Sequence, residues 1–168
     1  LLEDDKSFEG FSRAQVAMVV TNPHLKDNPI VYVNQAFTRS TGYARSATIG
    51  RNCRFLQGSD TNKVDVDRLR AGIEDEDSVT VDILNYRANG EPFMNRLIVA
   101  PVKDDAGDTQ YFVGVQKELR QSEHSTSAEE INAQLIEIQN RVASDLSMII
   151  GMIRQQSGAT SVPDDFAA

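Results

Sequence analysis

The residues best able to do chemistry in this sequence fall in one octet, Gly50-Arg51-Asn52-Cys53-Arg54-Phe55-Leu56-Gln57. Read as a helix, the octet puts Cys53 and Gln57 on one face, four residues apart, with Arg54 one step round. A thiol, a carboxamide and a guanidinium then project toward one region. Cys53 is the only cysteine of the chain, so no internal disulfide forms. A lone cysteine is by default a small buried hydrophobe; its polar neighbours give Cys53 a chemical reading instead.

A second polar set lies on segments that read as strands. Asn85 shares a face with Val81 and Ile83, Asn95 with Phe93, Leu97 and Val99, and Gln116 with Phe112 and Gly114. A buried amide without partners costs about 1–3 kcal/mol, so three of them on apolar strand faces point to a flat ligand with a polar edge. Amides donate and accept, which suits the alternating C=O and N–H groups of a flavin's pyrimidine ring. Arg54 and Arg70 could hold a phosphate outside the pocket. His24 and His124 sit in polar loops and read as solvated, with no role, and Asn89 reads only as a turn residue.

The elements that must position these groups follow from local patterns. Met18–Val20 and Ile30–Val33 read as strands. Short helices are expected over Asn34 to Leu56, and an amphipathic helix over Asp65–Glu74 from Val66, Leu69 and Ile73. Val79, Val81 and Ile83 alternate with polar residues as a half-buried strand does. Asn89-Gly90 supplies a tight turn, a strand follows from Pro92 to Val102, Asp104–Asp108 turns at Gly107, and Tyr111–Gln116 closes the set. The fold class is α+β. The chain is expected to divide into an N-terminal cap (1–15), a sensor domain (16–119), a linker (120–127), a helix (128–157) and a disordered tail (158–168).

The octet, Asn85-Tyr86, Asn95 after Pro92-Phe93, and Gly114-Val115-Gln116 together resemble the motifs of light-oxygen-voltage (LOV) photoreceptor domains, a branch of the PAS fold. The resemblance runs from about Ala17 to Gln116. It implies a five-stranded antiparallel sheet with short helices, and a noncovalently held flavin, FMN before FAD or riboflavin, that absorbs blue light. It further implies that Cys53 sulfur adds to flavin carbon C4a while N5 takes the proton, and that Gln116 senses the change at N5. Asn85 and Asn95 would hold the pyrimidine edge, Asn52 and Gln57 complete the polar set, and Arg54 and Arg70 pair with phosphate. Val19, Thr21, Leu56, Leu97 and Phe112 would pack near the ring. Ala17 stands where the family often carries Asn.

Beyond Leu119 the pattern changes. Ser127 and Glu130 form a capping box, and Ile131, Leu135, Ile138, Val142, Leu146, Ile149 and Ile153 recur at spacings of four, three and four, twice over. A helix over 128–157 would be about 40 Å long; cover of its stripe by a second copy, giving a homodimer, is favoured over a core helix folded back onto the sensor. Glu137-Ile138-Gln139-Asn140-Arg141-Val142 resembles the dimerisation and phosphoacceptor helix of bacterial sensor histidine kinases, with Asn140 where that family has its phosphorylated His. With no ATP-binding domain or phosphate loop in these residues, the chain is expected to be a photosensory module and not an enzyme, with a two-component or general signalling partner. A flavin-based redox or small-ligand sensor is the alternative reading, and a flavoenzyme ranks last.

The formal net charge of −8 argues against nonspecific nucleic-acid binding. Two His and one Cys make a metal site unexpected. No apolar run approaches the roughly 20 residues of a membrane span, so the expected setting is the bacterial cytoplasm.

Overall fold

A computed structural model of the chain describes residues 16–120, together with helical positions 133, 136, 137, 139–141 and 144. The expected cap over 1–15, the tail over 158–168, the continuous helix over 128–157 and the whole stripe from Ile131 to Ile153 lie outside the described residues. So does any dimer seam along that stripe.

Five strands, β1 (Ala17–Thr21), β2 (Ile30–Val33), β3 (Val79–Tyr86), β4 (Pro92–Lys103) and β5 (Thr109–Glu118), form one sheet in the order β2-β1-β5-β4-β3. Every neighbouring pair is antiparallel. The alternation of apolar and polar residues in β3 buries Val81, Ile83 and Asn85 on one face. Residues opposite one another share a face, so Val81, Leu97, Gln116 and Ala17 form one row across four strands. The other face carries a separate buried cluster of Met18, Val20, Ile98, Val102, Val113 and Val115. At the hairpin between β3 and β4, Gly90 adopts φ 86° and donates its N–H to Arg87.

Between β2 and β3 run three short helical pieces and one longer helix. These are α1 (Gln35–Thr41), α2 (Arg45–Thr48), a 3₁₀ helix (Cys53–Leu56) and α3 (Lys63–Glu74). The Asn34 side chain caps α1 by accepting from the Phe37 N–H at 3.0 Å, and it accepts from the Met18 N–H at 3.0 Å as well. One carboxamide thus ends β2, starts α1 and fastens both to β1. Phe37, fully buried, then packs with Val19, Ile30, Val33 and Leu56 beneath the sheet.

Two expectations need correction. The helix expected from Asp65 begins at Lys63, because Asn62 caps it by accepting from the Val64 N–H at 2.9 Å. His24, though exposed, is not simply solvated: its Nε2 lies 2.9 Å from the Thr109 carbonyl oxygen, joining the β1–β2 loop to the start of β5. Among the described residues no helix is long and apolar enough to cross a membrane.

Candidate functional site

The row-by-row alternation of the sheet leaves one face looking at the 3₁₀ helix and α3 across a cavity of about 440 Å³. That volume lies in the usual range of small-molecule sites. From the sheet come Val19 and Thr21 of β1, Asn85 of β3, Asn95 and Leu97 of β4, and Phe112 and Gln116 of β5. From the opposite wall come Asn52, Cys53, Arg54, Leu56 and Gln57, and from α3 comes Arg70. Every residue selected from the sequence therefore faces the same space.

The wall bearing Cys53 differs from the helix expected there. Cys53–Leu56 is a single 3₁₀ turn, and Gln57 already has extended backbone at φ −78°, ψ 158°. Cys53 and Gln57 reach the cavity by this turn and exit, not by sharing an α-helical face. The turn begins because the Asn52 side chain accepts from the Arg54 N–H at 3.0 Å. The other end of that amide donates to the Asp27 carbonyl oxygen at 2.7 Å, so Asn52 also ties the turn to the β1–β2 loop. Cys53 itself is half-buried. Loss of solvent pushes its thiol up to about 12, against its own backbone hydrogen bond and the Arg54 charge, which both pull it down.

On the sheet face the three amides form a chain. Asn95 Nδ2 donates to Gln116 Oε1 at 2.6 Å and to Asn85 Oδ1 at 2.9 Å. Both its hydrogens are then used, while its own Oδ1 is buried with no protein partner. An orphaned buried acceptor costs about 1–3 kcal/mol, and a ligand N–H in the cavity would satisfy it. A flat ring edge that alternates acceptor and donor fits this set. Gly114 keeps the floor open beside it: a Cβ there would fall 2.7 Å from Val19 Cγ1 and 3.4 Å from Leu97 Cδ1.

The two arginines at the cavity already have carboxylate partners. Arg54 grips Asp27 through both terminal nitrogens at 2.5 and 2.6 Å, and Arg70 meets Asp67 at 3.0 Å. Several lining residues were not selected from the sequence as site residues. Val66, Leu69 and Ile73 were read only as the apolar face of an amphipathic helix, and that face fronts the cavity. Asp27 and Asn28, in the loop between β1 and β2, also line the cavity, and nothing in their local sequence marks them as site residues.

Comparison with known proteins places the chain. The PAS domain family matches residues 15–121. The blue-light-activated histidine kinase 2 of Erythrobacter litoralis (strain HTCC2594) is 44% identical over 157 residues, covering 94% of this chain and 45% of its own length. A solved LOV domain from an Erythrobacter litoralis blue-light activated histidine kinase is 42% identical with a TM-score of 0.62, covering 65% of this chain and all 100% of that one. A structure from a flavin-analogue study of light-oxygen-voltage domain mechanism is 37% identical with a TM-score of 0.67, covering 78% of this chain and 97% of its own. The chain belongs to the light-oxygen-voltage family of the PAS superfamily.

One expectation is overturned by these relatives. Asn140 and the lack of an ATP-binding segment in these residues suggested a module that is not an enzyme. Relatives at 44%, 43% and 48% identity are named blue-light-activated histidine kinases, which are enzymes, and the chain spans only 45%, 38% and 21% of their lengths.

Proposed function

We propose that this chain is the light-sensing part of a blue-light receptor that holds a flavin and couples events at Cys53 to its C-terminal segment. Relatives named for blue light support the sensing role, and the LOV domains imply a flavin chromophore. One observation carries the reading. Cys53 and the Gln116–Asn95–Asn85 chain meet on one cavity, where Asn95 Oδ1 is a buried acceptor without a protein donor.

A flavin bound there would supply blue absorption and a ring carbon, C4a, open to reversible addition of the Cys53 thiol. Cys53 would supply both the sulfur and the proton: its thiol stays protonated throughout neutral pH, so the S–H bond broken would deliver its proton to ring nitrogen N5 as the S–C4a bond forms, and the reverse would restore it. Asn85 and Asn95 hold the pyrimidine edge, Asn52 and Gln57 complete the polar set, and Val19, Thr21, Leu56, Leu97 and Phe112 pack on the ring. Arg54 and Arg70 favour a phosphate-bearing flavin, hence FMN. Gln116 would reorient its amide if a ring nitrogen facing it changed from acceptor to donor. Asn95, bonded to it, moves with it, and β5 carries the change toward residue 120.

The output reading has three parts. Residues 16–119 sense, 120–127 link, and 128–157 form a helix that pairs with a second copy. Light then controls a histidine-kinase-type output, as the names of the relatives suggest.

Absorption spectra of the purified chain, taken in the dark and after a blue pulse, test the proposal. A flavin band that bleaches and recovers, with FMN released on denaturation, is the expected result. Folded protein without any flavin would overturn the reading, and a band indifferent to light would favour the redox alternative.

A further inference from the structure

Two carboxylates line the cavity without a part in the reading above, Asp27 and Glu74, and Asp27 is the one held against Arg54. Asp27 lies in the loop between β1 and β2 at φ 69°, and Asn28 follows at φ 45°. Left-handed backbone is unfavourable for residues with a Cβ, least so for Asp and Asn. Two in succession persist because the loop is held from the opposite wall. Asn52 binds the Asp27 carbonyl oxygen, and the Arg54 guanidinium takes both carboxylate oxygens at 2.5 and 2.6 Å.

Position separates this pair from the other one. Asp27 and Arg54 both line the cavity, whereas the Asp67 partner of Arg70 is not among the lining residues. A bidentate carboxylate fills the Nη1–Nη2 end of the guanidinium fork, which is an end that a phosphate would take. It also presents a like charge to that phosphate. The hydrogen bond from Arg54 keeps the Asp27 carboxyl below its ordinary range, so the charge is present at neutral pH. The side chains of Arg54 and Asp27 are 57% and 53% exposed. Exposed ion pairs are weak and exchange partners readily.

We propose that Asp27 sets the selectivity of this site for a phosphate-bearing flavin by competing with the cofactor's terminal phosphate for Arg54. The proposal rests on the flavin reading above and adds a residue to it. Asp27 lowers the preference for FMN over riboflavin and keeps the cofactor exchangeable.

The test loads the full 168-residue chain with FMN and, separately, with riboflavin. Release is followed by flavin fluorescence after dilution, for the parent and for Asp27→Asn. FMN release is expected to slow about fivefold or more in the variant while riboflavin release changes less than about twofold, because only the phosphate feels the lost charge. In an Arg54→Gln background the same substitution is expected to leave the ratio nearly unchanged. Asp27→Gly removes the same carboxylate and suits φ 69°, so it serves if the Asn variant misfolds. Faster FMN release, or equal slowing of both flavins, would show Asp27 to be a support for Arg54 or for the loop and would overturn the proposal. A parent chain that retained neither flavin would overturn the flavin reading and this proposal with it. Retention of both flavins with an unaltered release ratio in Asp27→Asn would overturn this proposal alone.

Discussion

At Cys53, burial disfavours the thiolate more strongly than the backbone hydrogen bond and Arg54 favour it. With the thiol at about 12, roughly one part in ten thousand is thiolate at pH 8. The folded chain thus holds a proton that the unfolded chain releases near its ordinary value of 9.0. The sign follows: this stabilises the fold fully below that value and is lost as pH rises toward 12. Iodoacetamide is expected to alkylate the dark, folded protein at pH 8 at least about 100-fold more slowly than the urea-unfolded chain. The rate should keep climbing with pH, and a plateau below pH 9 would contradict the buried thiol. Because the chain has one cysteine, the readout belongs to this residue alone. The site was legible at this scale because a thiol and three amides on apolar faces are conspicuous by type. The direction of each hydrogen bond was not, and neither was the orphaned Asn95 oxygen, since an amide's orientation depends on neighbours from other strands. Asp27 escaped notice because its role comes from a contact with Arg54, 27 residues away, and leaves no local pattern.

At the scale of elements, β5 joins the cavity to the chain's exit. Gln116 lies on the cavity face, and two residues later Glu118 pairs with Arg87 at 2.7 Å, while the Leu119 N–H donates to the Met94 carbonyl. The Arg87 guanidinium also lies over the Phe93 ring, 4.4 Å from its centre. The end of β5 is therefore clamped to the β3–β4 hairpin, and a change at Gln116 arises one turn of the pleat from that clamp. Gln116→Leu leaves Cys53 untouched but strands the Asn95 donor, at a cost of about 1–3 kcal/mol. Photobleaching of the flavin is expected to persist in this variant. The light-induced change in hydrogen exchange or scattering of residues beyond 120 should fall by at least about half. A normal output response would show that the route bypasses Gln116. The strands were readable to within a few residues because alternation marks a sheet buried on one side. The turn at Cys53 was misread as α-helical because four residues are too few to display a period.

At the scale of the molecule, the described residues form a sheet with buried apolar clusters on both faces, one of which surrounds the cavity wall. The fold could be read through Leu119 because each strand, turn and helix carries its own local signal. The apolar stripe beyond it is equally regular, yet a stripe specifies only that something must cover it, not what does. The kinase relatives show the same difference of scale: residues in this chain identify the sensor, while the activity named for those proteins extends over lengths of which this chain spans less than half. The thiol chemistry joins all three scales, and the light-minus-dark infrared spectrum of the flavin-loaded chain tests it most directly. Illumination is expected to remove one S–H stretching band, which returns in the dark and has no counterpart in Cys53→Ala. An S–H band that persists while the flavin bleaches, or bleaching that recovers in the same way in Cys53→Ala, would contradict a reaction at Cys53.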